Sequence, residues 1–466
     1  MMGQMLQKIE SRKPRVMRGL IWADRCGRVT TVMKHNVFSG MSRWMQATLL
    51  GAVSATFLSA GNTLQAGEPL EIWISSFQDK VYYEKMVAAY QSKVDSEFEA
   101  SIQAFGFREM PDKLAIAMKT GTNPPDIVQL DEVLFGTYLA GEVPFLDLSE
   151  RLKETKLLEG LVPQRLKLFA QGDAIYGLPQ SLSAMVLYYR VDLFKEHGIQ
   201  PEDLSTWDAF VDVGRDLASK NQALIALDPT YFEILLRQKG SDWFDHAGQM
   251  FPDEAQAEAV MNWLYELNDE GIGLIPERAS IFDPVFFSSM VNYGEVLTMI
   301  GADWYGLDMI QQFSPELKGK WGAMPLPAWK DRFGVPGRRT STFAGQGLLI
   351  YKQSKKADRA WKFIQWVLED QESNVERFVG GNSFPAFKPS WADPRMHQPS
   401  AYFNQQAFGD LLAGLAPEVP EVVMHPKRPQ AVFLFQENFF SSLMYGQITP
   451  RETMRQMRTM LKAGGD

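Results

Sequence analysis

The sequence predicts an α/β fold large enough for two lobes. Two observations carry this. From Leu70 onward, strand-forming runs alternate with helical runs, the pattern of a mostly parallel sheet covered by helices. The chain has 466 residues, too many for one ordinary core, which gives two or three units or two lobes of one domain.

The elements follow in order. "LEIWISS" (Leu70 to Ser76) is a first strand. "DKVYYEKMVAAYQSKV" is a helix with Asp79 near its N-terminus. "ASIQAF" is a second strand, and "MPDKLAIAMKTG" a helix closed by Gly121. "PPDIVQLD" is a third strand ending at Asp131, before the short helix "EVLFGTYLAGE". In "IYGLPQSLSAMVLYYR", Gly177 and Pro179 punctuate the chain before a buried strand from Met185 to Tyr189. Gln180, Ser181 and Ser183 between them read either as a polar loop or as a crossing between lobes with hydroxyls facing a cleft. "STWDAFVDVGRDLAS" is a helix whose expected N-cap is Ser205. Helices follow around 255–268 and 284–292, then the strand "EVLTMI" and the turn "GADWYG". "KWGAMPLPAW" is a second strand with proline punctuation, "STFAGQGLLIYKQS" a strand with glycines at its entry, and "KKADRAWKFIQWVLED" an amphipathic helix. "VGGNSFPAFKPSW" is a third punctuated stretch, and the C-terminal part is helical.

Composition excludes several classes. The chain is 45% hydrophobic, 12% aromatic and 22% charged, so it is globular. The net charge is -9, although residues 1–66 carry nine Lys or Arg against two acids. The remainder is therefore strongly acidic, which argues against nucleic acid or an anionic membrane as partner. Within 1–66, the uncharged apolar run at about 44–61 follows Arg43 and precedes an Ala-ending site near Ala66, as in a cleavable export signal. A single membrane anchor is the alternative; the run is short and rich in Ala, Ser and Gly, which favours the signal. The only cysteine, Cys26, precedes this run, so there is no lipid-attachment cysteine after it, and the expected location is the periplasm.

Catalytic constellations are thin. The four histidines after the signal (His197, His246, His397 and His425) show no metal-ligand spacing, so neither a metal nor a cofactor is expected. There is no GxSxG and no P-loop, and the glycines of "FAGQGLL" open a strand rather than a helix. Tyr82–Tyr83 and Tyr188–Tyr189 are adjacent pairs whose rings face different ways, which reads as packing rather than a phenolate site. No carboxylate spacing points to a glycosidase pair.

What remains is holding. Ligands of open α/β sheets sit at strand ends, which selects Ser75, Ser76 and Phe77 after the first strand and Asp131 and Glu132 after the third. Gln180, Ser181 and Ser183 lie on the punctuated stretch, Trp304 lies beyond "EVLTMIG", and Gly345 and Gly347 allow close backbone approach. Acids and hydroxyls suit a sugar's hydroxyls, and aromatic rings suit its C–H faces. Each has a plainer reading. Asp131 can cap the following helix, the serines can satisfy loop backbone, and Trp304 and Trp243 can be core. Trp207, Trp361 and Trp366 fit helix packing.

From about Leu70 to its end the chain resembles the extracellular solute-binding proteins of family 1, the binding subunits of ABC sugar importers. The matching pieces are "LEIWISSF", "PPDIVQLDEVLFGTYLAGE", "AIYGLPQSLSAMVLYYRVDLFKEHGI", "STWDAF", "GADWYG", "WGAMPLPAW", "FAGQGLLIYKQSKKADRAWKFIQWVLED" and "GGNSFPAF", in order. The resemblance implies a two-lobe periplasmic-binding-protein fold, type II-like, with lobes joined by hinge crossings and the ligand in the cleft. The crossings would be Ile175 to Ser183, Ala323 to Trp329 and Gly380 to Ala386. Lobe 1 would be 67–178 and 328–380, and lobe 2 would be 179–327 and 381–466. It implicates Ser76, Phe77, Asp131, Ser181, Ser183, Trp304 and Gly345 as ligand contacts; Glu132 and Trp243 remain candidates from the residues alone. It implies a monomer that delivers a sugar to inner-membrane permease subunits and is not an enzyme. The chain departs from the family at Tyr188-Tyr189-Arg190, where "YYN" is common, and at the longer turn "GADW", which leaves the sugar open. Rival outputs are presentation to a membrane sensor, an exported carbohydrate-active enzyme, or the same fold holding a sugar phosphate or polyamine. Arg338 and Arg339 could serve a phosphate if they face the cleft.

Overall fold

In the computed structural model the described residues are 68–276, 280–331 and 333–463. The export signal and Cys26 lie outside them. Among the described residues, twelve strands form two five-stranded sheets and a small hairpin. The first sheet contains β1 (Leu70–Ile74), β2 (Ala100–Ala104), β3 (Ile127–Asp131), β6 (Gly177–Pro179) and β12 (Gln346–Ile350), in the order β2-β1-β3-β12-β6. β4 (Ala170–Gln171) and β5 (Ala174–Ile175) make the hairpin. The second sheet contains β7 (Met185–Arg190), β8 (Ala223–Ala226), β9 (Gly273–Leu274), β10 (Val296–Ala302) and β11 (Trp321–Pro325), in the order β11-β7-β10-β8-β9.

β1 lies parallel to β2 and β3, and β12 runs antiparallel to β3 and β6. In the second sheet β8 is parallel to β9 and β10, while β7 is antiparallel to β10 and β11. Strand period explains the packing of the first sheet. Leu70, Ile72 and Ile74 of β1 enter one apolar core, and Trp73 enters the core on the opposite face. β12 repeats this, with Leu348 and Ile350 on one side and Leu349 on the other. A sheet apolar on both faces must be covered on both faces, which the intervening helices do. The second sheet has its own larger core.

Helix α1 (Phe77–Lys93) begins where β1 ends, with Ser76 as its cap; α2 (Met110–Thr120) closes on Gly121 at φ 66, and α3 (Glu132–Phe135) follows β3 directly. The helix Trp207–Ser219 is capped by Thr206, whose side chain accepts from the Ala209 amide, and not by Ser205 as expected. Ser205 instead ends the preceding turn at helical φ and ψ; Thr206 has the extended backbone a cap needs.

Three segments join the sheets side by side. Gln180 N–H donates to the Gln346 carbonyl (3.2 Å), Ala386 N–H to the Gln180 carbonyl (3.1 Å), Leu182 N–H to Phe384 (2.8 Å) and Met185 N–H to Ser341 (3.1 Å). The stretches around 180–185 and 383–386 are thus crossings. Ala323 to Trp329 is not one. Met324 and Pro325 still pair with β7, and the Trp329 ring packs 5.7 Å from Trp207 and 5.3 Å from Trp263. The chain returns at 340–346. Proline marks the end of β11 there, which is where the punctuation misled.

Candidate functional site

Between the sheets lies a cavity of about 940 Å³. Its wall comes from strand ends of both sheets, from the crossings and from the C-terminal helices. Ser75, Ser76, Asp131 and Glu132 line it from the first sheet, and Gln180, Ser181, Ala344, Gly345 and Gln346 from the crossings. From the second sheet come Asp228, Thr230, Glu233, Phe282, Trp304 and Asp308.

The plainer readings and the cleft positions coincide. Ser76 accepts from the Asp79 amide as a helix cap (3.2 Å), and Asp131 accepts from the Val133 amide (3.1 Å), yet both line the cavity. This follows from the fold: a strand end that opens into a cleft is also a helix start. The Asp131 carboxyl is pushed up to about 7, chiefly by burial and then by the adjacent Glu132. Asp308 is pushed up to about 7 by burial and by Asp79, against a hydrogen bond from Gln78.

Ser183 stands one layer back. It is fully buried, with φ 49, and its hydroxyl shares a 2.9 Å hydrogen bond with that of Ser181. Trp243 is also absent from the wall. Its indole is 1% exposed, packs on Phe232 and Phe435, and donates to Glu233 (3.3 Å), which does line the cavity. Trp243 is therefore core that supports a wall residue, because a bulky ring gains more by full burial there. Phe77 starts α1, and its side chain is outside the described set. Gly345 needs its glycine: φ is +112, and a Cβ would stand 1.9 Å from the Arg165 guanidinium. Arg338 and Arg339 do not line the cavity; Arg339 pairs with Glu418.

Sequence reasoning missed much of the wall. It named Trp304 but not Phe282 and Phe343, whose rings form a nearly parallel series with it: the Trp304 and Phe343 centroids lie 6.0 Å (27°) and 6.3 Å (21°) from Phe282 in the middle. Asp228, two residues past β8, obeys the same strand-end rule that selected Asp131. Two buried charge networks had no sequence signal. In one, Arg428 donates to Glu132 and Glu233, and Arg237 bonds Glu233 and Asp242. In the other, Arg377 donates to Gln180 (2.7 Å), Tyr83 (3.2 Å) and Asp79 (3.4 Å). Among the described residues no cluster fits a metal ion, and no helix is long and apolar enough to cross a membrane.

Two lobes with a shared polar and aromatic cleft define a binding protein of the two-lobe periplasmic type. Residues 75–373 match the family model of the bacterial extracellular solute-binding protein, and the chain belongs to that family. It is 24% identical to the arabinooligosaccharide-binding protein of Bacillus subtilis, across 90% of this chain and 97% of that one. It is 23% identical to the protein of the same name from Halalkalibacterium halodurans, across 86% and 91%. Its fold superimposes on an ABC transporter-associated binding protein of B. animalis subsp. lactis in complex with β-1,6-galactobiose. The TM-score is 0.68 at 18% identity, covering 84% and 96%. The lacto-N-biose complex of the galacto-N-biose-/lacto-N-biose I-binding protein of Bifidobacterium longum superimposes at 0.69 and 17% identity, covering 84% and 95%.

Proposed function

We propose that this protein captures a carbohydrate, mono- or oligosaccharide, in the cleft, closes its lobes on it, and passes it unaltered to the permease of an ABC importer. The observation that carries this is the wall itself. Carboxylates, hydroxyls and amides alternate with the Trp304–Phe282–Phe343 ring series, so one guest meets hydrogen-bonding groups and apolar faces together. A cavity of about 940 Å³ is at the upper end of small-molecule sites, which suits a ligand longer than one ring. The names of the Bacillus and Halalkalibacterium relatives point the same way. In this reading Ser76, Asp131, Glu132, Ser181, Trp304 and Gly345 touch the ligand or shape its seat. The lobes divide at the three crossings, and the protein works outside the cytoplasmic membrane as a monomer. Closure is favoured because only the closed state offers both half-walls at once.

A thermal-shift screen of the mature chain tests this, using arabinotriose, β-1,6-galactobiose and a wider saccharide panel. A ligand at 100 times its Kd adds about 2.7 kcal/mol to stability and raises the melting temperature. The ligand must be recovered intact by chromatography. No shift across the panel, or conversion of the bound sugar, would overturn the proposal.

A further inference from the structure

The charge balance of the cleft carries a specificity. Seven carboxylates line it: Asp79, Asp131, Glu132, Asp228, Glu233, Asp308 and Glu437. Among the described residues the only cations in the wall are Arg108 and Arg377. Both are occupied. Arg377 serves Asp79, Asn382, Tyr83 and Gln180, and Arg108 pairs with Glu437 (3.1 Å). Behind the wall, Arg428 and Arg237 are taken up by Glu132, Glu233 and Asp242. Arg165 gives its donors to the carbonyls of Ser181 and Ala344 and the hydroxyl of Thr342 (3.1, 2.9 and 2.7 Å). Asp131, Asp228 and Asp308 have no ion-pair partner among the described residues. Asp131 and Asp228 are nearly buried (6% and 4% exposed); Asp131 accepts from the Val133 amide and keeps acceptor capacity, whereas Asp228 already accepts from Thr230, Ser280 and the Ile281 amide.

Among the described residues the wall sets seven carboxylates against two arginines, a balance that disfavours an anion. A carboxylate or phosphate brought beside Asp131, Asp228 and Asp308 would be desolvated beside like charge, and the one buried arginine of the described wall, Arg377, is already taken up. A hydroxyl, or an amine, donates to the same oxygens and satisfies them.

We infer that the cleft takes uncharged or amine-bearing saccharides and rejects sugar acids and sugar phosphates. This rests on the carbohydrate reading above and narrows it. The test uses matched probes in calorimetry at pH 7.5: α-1,4-galactotriose against α-1,4-trigalacturonate, with arabinotriose and spermidine beside them. The expected result is that trigalacturonate binds at least 100-fold more weakly than the neutral trisaccharide. The Asp131→Asn/Asp308→Asn double variant should narrow that gap at least tenfold. Trigalacturonate binding as tightly as galactotriose, or more tightly, overturns the inference. Binding of spermidine with no saccharide bound would sink the carbohydrate reading and leave the charge inference standing.

Discussion

At the scale of single residues, Asp308 shows how the cleft holds unpaired acids. Its carboxyl sits at about 7, against an ordinary value of 3.8, because burial and the charge of Asp79 oppose ionisation. A raised carboxyl has a definite linkage. Between about pH 4 and 7 the folded protein keeps a proton that the unfolded chain has lost, so this group's contribution to stability falls as pH rises through that window. It is flat above the window. Asp308→Asn removes the titration. The melting temperature of the variant, relative to wild type, should therefore climb from pH 4 to pH 7 by roughly 1–3 °C and then level off. Differential scanning calorimetry across that range decides it; a constant offset between the two proteins would show that Asp308 ionises normally.

At the scale of elements, the C-terminal helix Arg428–Leu434 acts as a clasp. Arg428, fully buried, places its guanidinium between Glu132 at the start of α3 and Glu233 on the helix Tyr231–Gln238. Glu132 directly follows β3 of the first sheet and Glu233 lies on the helix after β8 of the second, so one arginine ties the two sides of the cleft. Breaking a buried pair by removing one partner leaves the other charged and desolvated, at a cost of about 3–5 kcal/mol. Arg428→Met should lose that much in urea unfolding, and adding Glu132→Gln and Glu233→Gln should recover most of it. A mild single variant would mean that the Arg428 clasp contributes little to stability. This clasp also marks what the sequence could not convey. Strand period, the Gly121 cap and the strand-end rule made β1, β3, α2, Ser76 and Asp131 legible, because each depends on neighbours along the chain. Arg428 meets Glu132 across 296 residues, and Arg377 meets Gln180 across 197, and no local pattern encodes such partners. Trp243 and Trp304 looked alike for the same reason; which ring faces the cleft is decided by the three crossings.

At the scale of the whole molecule, closure is a statement about which contacts span the cleft. Besides the crossings and the buried Arg428 network, which adjoins them where Arg237 donates to the Thr342 carbonyl (3.1 Å) and so sits at the hinge, two side-chain contacts bridge it at exposed positions: Gln78 on α1 with Gln312 beyond β10 (2.5 Å), and Arg108 with Glu437 (3.1 Å). Exposed pairs of this kind contribute little, about 0–1 kcal/mol each. They cannot hold the lobes shut without help, whereas a ligand bonded to both walls can. The hydrogen bonds among the crossings link neighbouring backbone and can survive a rotation about them, as hinge strands require. The unliganded protein should therefore populate an open form in solution. Saturating ligand, identified by the melting screen, should lower the radius of gyration in small-angle scattering. The Gln78→Ala/Arg108→Ala variant should show the same ligand-bound radius with a larger open fraction when empty. An unchanged radius with and without saturating ligand would mean that capture occurs in a rigid cleft, and that the two half-walls are complementary before anything binds.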